Sequence, residues 1–516
     1  MNKLVLAGAM LAVVSIAAPA WASETPEDLV PSLAPLSPQA AADMAIMEEA
    51  HGLYDAKDYA GSARALERFM ATPTYQQLPA GPRATYRTVY LETLIRSDRS
   101  KDAFPELKAL TETDTTGGMW TLRLEAAVKL GDYGDALKTL TVLSERWPAT
   151  VPRLTDAYVL YILSKSRTIP ALRDRRTDAL LALYESKWTL QDSFAAADEL
   201  RLDLVRGLLD EGKVAKAREV AATITLPSAI VAMRSLRRFD AVISPGQSDG
   251  DLAQIADRHV LSLRSKISAA PDKLKGPVTL AGSLYSSVKL TDALAVVDDA
   301  IARAVPSAGG APPFTDMDQL IWAYDRKARI LLMLGRGDEA VAAMQAGAAL
   351  QEHGNDNVSQ QLNLAEFYAT LGRPKDALAA AGRVGDDHVS GYGRMDREGV
   401  RVEALVQLHD QAGLKMSLDY MHAHEADAPM WLFEALLVSG DEEGAARDLI
   451  KLLKDPVRQA GALGELLDRA TPDTAPDWVK MRQGLIRALR QRPDVKAAVA
   501  AAGGRLLSLP FLDEEQ

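Results

Sequence analysis

The chain has 516 residues, a formal net charge of −11, 47% hydrophobic residues and no cysteine. A chain of this length exceeds one ordinary compact domain unless it is built from repeats, and the lack of cysteine excludes disulfides, a cysteine nucleophile and cysteine-ligated zinc. The acidic balance argues against a general binder of nucleic acid or of anionic membranes, because affinity for phosphate comes from clustered lysine and arginine.

Residues 1–22 have the features of a secretory signal peptide. Lys3 precedes an apolar run from Leu4 to Ala18, and Ala20-Trp21-Ala22 supplies a cleavage site of the small–x–small type. We expect cleavage before Ser23 and export to the Gram-negative periplasm, with secretion from the cell as the second choice. No later stretch reaches about 18 uninterrupted apolar residues, so we expect no transmembrane segment in the mature chain.

Residues 23–38 are proline-rich and predict an extended leader. From residue 39 onward the sequence predicts consecutive pairs of α-helices, and residues 120–148 show the pattern most clearly. Gly131 and Asp132 interrupt the helical pattern there and predict the turn between two helices.

The helix after this turn has one regular face. Tyr133, Ala136 and Leu140 recur at steps of three and four residues, which places them side by side on the helix surface. The small side chain of Ala136 lets a neighbouring helix approach closely, and the larger residues on either side fill the space between the two helices.

This stretch resembles a tetratricopeptide (TPR) repeat, whose pattern is W-x₂-L-G-x₂-Y…A-x₃-F…P. Trp120, Ala136 and Pro148 occupy the Trp, Ala and Pro positions, and other residues occupy the Leu, Gly and Tyr positions. The resemblance implies an all-α fold, a right-handed superhelical solenoid of helix–turn–helix repeats.

Similar pairs recur along the chain. Tyr324 and Ala340 are 16 residues apart, the same spacing as the Trp and Ala of the first example, and Ala377 and Ala445 are 68 residues apart, twice the 34-residue TPR period. We predict that the repeats pack through Tyr59, Leu66, Trp120, Tyr133, Ala136, Leu140, Ala217, Leu280, Ala293, Tyr324, Ala340, Leu364, Tyr368, Ala377 and Ala445.

The sequence divides the repeats into two arrays, residues 39–243 and 252–455, separated by the break SPGQSDGD at 244–251. A Gly- and Pro-rich insertion at 307–316 is the alternative place for a division into two arms. Residues 456–516 leave the repeat pattern, and we predict that they form a helical cap and tail that shields the exposed face of the last repeat.

His422 and His424 are the candidate metal ligands of the chain. Residues two apart point to different sides of a helix, so both could hold one ion only if the helix ends there. We interpret them instead as a solvated helix end, where a histidine interacts favourably with the helix dipole. We therefore expect no metal, no other cofactor and no catalytic residues.

Two basic clusters, each diluted by a neighbouring aspartate, are the candidate contacts for an acidic partner. Arginine is a frequent anchor in protein interfaces, although solvated turns and helix faces explain such clusters as well. These candidate partner-binding residues are Arg173, Arg175, Arg176, Arg234, Arg237 and Arg238.

A solenoid recognises other molecules by its shape. The exposed faces of the first helices of successive repeats form a continuous concave surface, and such surfaces bind peptides, helices or domains. We therefore hypothesise an exported, non-enzymatic TPR-like scaffold or adaptor with a protein or peptide partner in the cell envelope. The alternatives are an all-α envelope enzyme acting on glycan or peptidoglycan, which needs an aromatic cleft with two buried carboxylates, and a structural subunit of a polysaccharide-export or secretion machine.

Overall fold

A computed structural model describes residues 37–113, 116–192, 194, 197–248, 250–305, 311–351, 357–386 and 389–512. The predicted signal peptide and nearly all of the predicted leader lie outside these residues. Within them the chain is all-α: no strand forms, and the extended segments make only isolated bridges, Leu236 with Gly504 and Asp468 with Ser508. The predicted fold class is confirmed. No helix among the described residues is both long and apolar enough to cross a membrane.

The chain divides into two compact units. The first comprises Met1–Asp192 and Asp203–Gly212, and the second comprises Ser193–Leu202 and Lys213–Gln516. The predicted break at 244–251 lies within the second unit, and its role as a boundary between two arrays stays a prediction.

The first unit consists mainly of antiparallel helix pairs in which each first helix contacts its second helix. Its helices are α1 (Pro38–Asp55), α2 (Tyr59–Met70), α3 (Pro73–Gln77), α4 (Ala80–Arg96), α5 (Ser100–Glu112), α6 (Gly117–Lys129), α7 (Tyr133–Arg146), α8 (Asp156–Arg167) and α9 (Arg173–Glu185). The chain continues through α10 (Ala197–Asp210), in which the division between the units falls.

The second unit continues the same architecture and ends in three helices outside the pairs. Its helices are α11 (Val214–Ala221), α12 (Pro227–Arg234), α13 (Pro245–Ser248), α14 (Leu252–Ala269), α15 (Lys275–Ser286), α16 (Leu290–Ala304), α17 (Leu320–Met333), α18 (Gly337–Ala348), α19 (Val358–Thr370), α20 (Pro374–Ala381), α21 (Gly391–Gln407), α22 (Gln411–Ala423), α23 (Pro429–Ser439), α24 (Glu442–Lys454), α25 (Gln459–Glu465), α26 (Asp477–Gln491) and α27 (Pro493–Ala501). The pairs are α15/α16, α17/α18, α19/α20, α21/α22 and α23/α24, and the odd-numbered helix of each is its first helix.

Most turns between paired helices share one backbone arrangement. One residue adopts a left-handed conformation, as Gly131 does with φ of 71°, and the next amide donates to the carbonyl five residues earlier, as Asp132 does to Ala127 at 2.9 Å. This is the Schellman arrangement that ends helices, and it favours glycine because a Cβ is strained at positive φ. An aspartate then caps the second helix in several pairs, as Asp132 does by accepting from the Asp135 N–H at 3.0 Å.

A small buried side chain follows most of these turns at a fixed distance. Ala136, Ala340 and Ala445 each lie five residues after a left-handed glycine, and each is 0% exposed. At this position the two helices of a pair approach most closely, so a larger side chain would have no room.

The residues predicted to pack the repeats are mostly buried. Tyr59, Tyr133 and Tyr324 are the exceptions, and each is half-buried. The buried members are Leu66, Trp120, Ala136, Leu140, Ala217, Leu280, Ala293, Ala340, Leu364, Tyr368, Ala377 and Ala445.

The segment after residue 456 contacts more of the unit than the last repeat, and its role as a cap stays a prediction. Helices α25 and α27 contact α24, as expected of a cap. The chain then returns to the N-terminal part of the unit. The Arg505 N–H donates to the Ser235 carbonyl, just after α12, at 2.7 Å, and the Leu512 N–H donates to the Ser286 carbonyl, at the end of α15, at 2.9 Å. Leu509 and Phe511 share a buried apolar cluster with helices at the start of the same unit. The C-terminal segment, residues 456–512, therefore spans the whole unit.

Candidate functional site

The first helices of the second unit form one wall of a cavity of about 90 Å³, and the C-terminal segment forms the other. Tyr285 on α15, Arg329 on α17, Glu366 on α19 and Glu403 on α21 line the first wall, and Trp478 on α26 lines the second. We call the surface that carries these first-helix residues, together with Glu434 on α23, the first-helix groove. It is the surface that the repeat pattern assigns to recognition.

Carboxyl groups are concentrated in the first-helix groove. Glu366, Glu403 and Glu434 come from three successive first helices, and Asp396 lies two turns before Glu403 on α21. Residues seven apart share a face of a helix, so Asp396 and Glu403 point to the same side of α21. The regular stacking of the pairs therefore brings four acidic side chains to one surface.

Two of these carboxyl groups hold their protons more tightly than usual. Burial, reinforced by the charges of Glu366 and Glu434, raises the pKa of Asp396 to about 8, and Arg329 opposes the shift. Burial and the charge of Glu366 raise the pKa of Glu403 to about 8, with Arg482 and Trp478 opposing. Both groups are therefore largely protonated near neutral pH, and a cation brought beside them would favour their ionised forms.

Helix α26 lies against this groove and supplies a cation to it. Arg482 pairs with Glu434 of α23 at 2.8 Å and lies 3.8 Å from Glu465. Ala475, just before the helix, and Val479 pack against the apolar core of the helix pairs, and Thr474 donates from its hydroxyl to the Met333 carbonyl at 2.6 Å. An amphipathic helix that buries its apolar residues and pairs its arginine with groove carboxylates is bound as a peptide ligand is bound.

The fit between α26 and the groove leaves a polar group without a partner. Nε2 of Gln483 is buried and makes no hydrogen bond within the described residues, whereas the buried carboxyl group of Glu403 has the Trp478 side chain as a hydrogen-bond partner. All three residues line the cavity. A buried polar group without a partner costs about 1–3 kcal/mol, so the C-terminal segment is not an optimal occupant of the groove.

The first basic cluster belongs to the first unit, and its residues have intramolecular contacts there. Arg176 binds Asp203 at 2.7 Å and also donates to the Leu163 carbonyl at 3.0 Å. Arg173 lies 3.9 Å from Asp210, and the guanidinium of Arg175 is close to the backbone of Gly134. Its role as a partner-binding surface stays a prediction.

Asp203 is the centre of this network. Arg167 and Arg206 reach the same carboxylate as Arg176. Burial alone would raise the pKa of Asp203, but the three guanidinium groups lower it to about 2. The network ties α8, α9 and α10 together and gives Arg176 a structural role.

The second basic cluster lies at the start of the second unit, and its residues also have intramolecular contacts. Arg234 donates to the carbonyls of Gln247 at 2.5 Å and Gly250 at 2.7 Å, which holds the chain around α13. The Arg237 N–H donates to the Gly503 carbonyl at 2.8 Å, and Arg238 lies over the ring of Phe239. As partner contacts these residues likewise stay predictions.

His422 and His424 lie at the end of α22, where the helix stops at Ala423. Both are exposed, and the ring of His424 stacks on Tyr420 with its Nδ1 2.8 Å from the Tyr420 carbonyl oxygen. Among the described residues, no group of three His, Asp or Glu side chains is arranged to hold a metal ion.

The groove residues were not predicted from the sequence: Glu366, Asp396, Glu403 and Glu434. Acidic residues are common on helix surfaces, and only the stacking of first helices separates these four from the others. One signal was available: each falls on a first helix, on the side that the repeat pattern assigns to the wall. The basic, amphipathic pattern after Trp478 was a second signal, because it complements an acidic groove.

No protein-family model matches the chain, and no curated protein matches it. Similar solved structures include the Rap protein complexed with competence and sporulation factor, with 14% identity and a TM-score of 0.29 over 79% of this chain and 98% of that chain. The APC/C hetero-tetramer Cut9–Hcn1 is 12% identical, with a TM-score of 0.29 over 90% of this chain and 97% of that chain. Naa15/Naa10 bound to HypK-THB is 16% identical, with a TM-score of 0.27 over 90% and 80%. These are TPR-repeat proteins, and at such TM-scores the likeness supports no conclusion about what this chain binds.

Proposed function

We propose that the chain is a non-enzymatic scaffold or adaptor that binds a helical segment of a protein partner in its first-helix groove. The observation that carries this proposal is the position of α26, whose Arg482 pairs with Glu434 across the groove at 2.8 Å. A surface that holds one amphipathic helix through aromatic, apolar and arginine contacts has the chemistry to hold another.

Affinity capture with the full chain tests this function. We expect the wild-type chain to recover a stoichiometric protein partner from an envelope extract, and Glu434→Arg to reduce that recovery because it reverses a groove charge. Asp419→Arg is the matched control, since Asp419 is an exposed acid on the second helix α22. Recovery that is equal for all three chains, or no stoichiometric partner at all, would contradict the proposal.

We further propose that the scaffold acts in the periplasm after cleavage before Ser23, on the basis of the signal-peptide pattern of residues 1–22. Cell fractionation and N-terminal sequencing of the purified protein test this directly. A mature protein in the periplasm that starts at Ser23 is the expected result, and an intact Met1 terminus in the cytoplasm would overturn it.

The cavity also gives one observation in favour of a second function, an enzyme that acts on glycan. Its lining includes two carboxyl groups, Glu366 and Glu403, beside the aromatic rings of Tyr285, Phe367 and Trp478. Its volume of about 90 Å³ is small for a sugar chain, since ligand sites usually span roughly 300–1,000 Å³. We therefore prefer the scaffold. A peptidoglycan zymogram separates the two, because only the enzyme would clear it, and would lose that activity on Glu403→Gln.

A further inference from the structure

We propose that the C-terminal helix α26 is an internal ligand, and that the partner is a basic amphipathic helix that takes its place and adds a cation opposite Glu403. This inference rests on the proposed function and specifies the partner. The contacts that α26 makes in the groove, and the space that it leaves beside Glu403, indicate the chemistry of the partner.

Helix α26 is held in the groove by contacts that a competing helix could replace. Its ion pair is accessible to solvent, with the side chain of Arg482 34% exposed and that of Glu434 22% exposed. An accessible ion pair contributes modestly to stability, so a competitor needs only a comparable set of contacts. The helix is preceded by the segment Thr471-Pro-Asp-Thr-Ala-Pro476, whose prolines interrupt helical structure on that side.

The contact between the groove and α26 leaves space and an unpaired polar group. The cavity of about 90 Å³ lies between Glu403, whose hydrogen-bond partner is the Trp478 side chain, and α26. Gln483 is one of the α26 residues that line this cavity, and its buried amide nitrogen makes no hydrogen bond among the described residues. A longer cationic side chain at the position of Gln483 would fill the space and pair with the carboxylate.

The acidic groove favours a partner helix with two cations. Glu366, Asp396, Glu403 and Glu434 converge on the groove, and α26 brings Arg482 to them. A partner helix with a second arginine or lysine next to the first, at the position of Gln483, would pair with Glu403 and favour its ionised form. Charge complementarity of this kind also speeds association and excludes acidic helices.

The test is peptide binding to the full chain. Arg482→Glu in the chain places a negative charge against Glu434 and Glu465 and so weakens the internal helix, at a side chain exposed enough to spare the fold. A fluorescent peptide of residues 472–491 is then titrated into wild-type and Arg482→Glu chains, and fluorescence anisotropy measures its Kd. We expect the variant to bind the peptide at least about tenfold more tightly than the wild type, because the internal helix no longer competes at high effective concentration.

A second peptide that carries Gln483→Arg tests the added cation. It should bind the Arg482→Glu chain about tenfold more tightly than the natural peptide does, and Glu403→Gln in that chain should remove the difference. Equal affinity of both peptides, or a difference that survives Glu403→Gln, would overturn the assignment of the partner. Circular dichroism and thermal unfolding verify that each chain is folded.

Hydrogen exchange on the wild-type chain keeps the proposal testable if Arg482→Glu fails to fold. Excess peptide carrying Gln483→Arg should speed amide exchange in α26 and slow it in α19 and α21. Unchanged exchange in all three helices would contradict the internal-ligand proposal. A partner that the wild type captures and Glu434→Arg loses, but that is indifferent to Arg482→Glu and Glu403→Gln, would retain the scaffold function and refute this inference alone.

Discussion

At the scale of single residues, close helix pairing depends on small side chains at one repeated position. Ala136 is 0% exposed and lies five residues after Gly131. Ala136→Leu should lower the free energy of unfolding by about 1–3 kcal/mol, because three extra carbons have no space between the two helices. Urea denaturation measures this.

Ala342→Leu is the control for this substitution. Ala342 lies on the exposed side of α18, so the same change should alter stability by no more than about 0.5 kcal/mol there. Equal losses at both positions would show that leucine is unfavourable in these helices for a reason other than packing.

Asp203 is the second residue on which a local structure depends. Three arginines surround its buried carboxylate and lower its pKa to about 2, from an ordinary value of 3.8. Its ionisation therefore stabilises the fold above about pH 4, and this contribution is lost as the pH falls toward 2. Asp203→Asn should cost about 1–3 kcal/mol near pH 7, because it removes the buried carboxylate that accepts from three partly exposed guanidinium groups.

The loss for Asp203→Asn should be smaller near pH 3, where the wild-type carboxylate is itself partly protonated. Chemical denaturation of both chains at the two pH values measures the difference. A loss that does not depend on pH would mean that the arginines do not stabilise the charged form.

At the scale of elements, the turns between paired helices show how much of the fold could be predicted. The pairs with a glycine turn and an alanine five residues later, such as those around Gly131, Gly372 and Gly440, were recognised from the sequence. A non-glycine residue adopts the left-handed conformation around Asp98 and His409, where the pattern matched poorly, and also around Lys57 and Val288, where it matched well. The physical requirement is the backbone angle, and glycine is only its commonest solution.

Val288 provides a test of this requirement. It has φ of 60°, a conformation that costs a side chain with a Cβ roughly 1–2 kcal/mol. It is also 37% exposed, so it contributes little packing. Val288→Gly should therefore raise the free energy of unfolding by about 0.5–1 kcal/mol after the extra flexibility of the unfolded chain is subtracted.

The opposite substitution, of a glycine by a residue with a Cβ, can be made at Gly440. This residue has φ of 86° and no atom within 4 Å of the position of a Cβ. Gly440→Ala should lower stability by about 1–2 kcal/mol through backbone strain alone. Thermal and chemical unfolding measure both variants. A destabilised Val288→Gly chain would show that the valine side chain packs usefully.

The stacked first helices also predict a dependence on pH. Glu403 faces Glu366 on α19 and Arg482 and Trp478 on α26, with Asp396 on its own helix, and its pKa rises from 4.5 to about 8 in the fold. Between these values the folded chain binds a proton that the unfolded chain does not, so stability falls as pH rises. Glu403→Gln should flatten this dependence between about pH 5 and pH 8, as urea denaturation would show. An unchanged slope would mean that Glu403 titrates normally.

At the scale of the whole molecule, the path of the C-terminal segment could not be predicted from the sequence. The basic amphipathic pattern after Trp478 predicts a helix, and α26 forms there. Its position depends on contacts between distant residues, such as Thr474 with Met333 and Leu512 with Ser286. A periodic pattern does not determine which of the many acidic helix faces α26 contacts, so the groove could be identified only from the structure.

The central claim is that the first-helix groove recognises a helix through its charges, and the pairing of Arg482 with Glu434 tests it most directly. Backbone hydrogen exchange of α26 is measured in four full-length chains: wild type, Arg482→Glu, Glu434→Arg, and both together. We predict faster exchange over residues 477–491 in each single variant and restoration toward the wild-type rate in the double variant, because the exchanged charges attract again. Identical exchange in all four chains would contradict the claim.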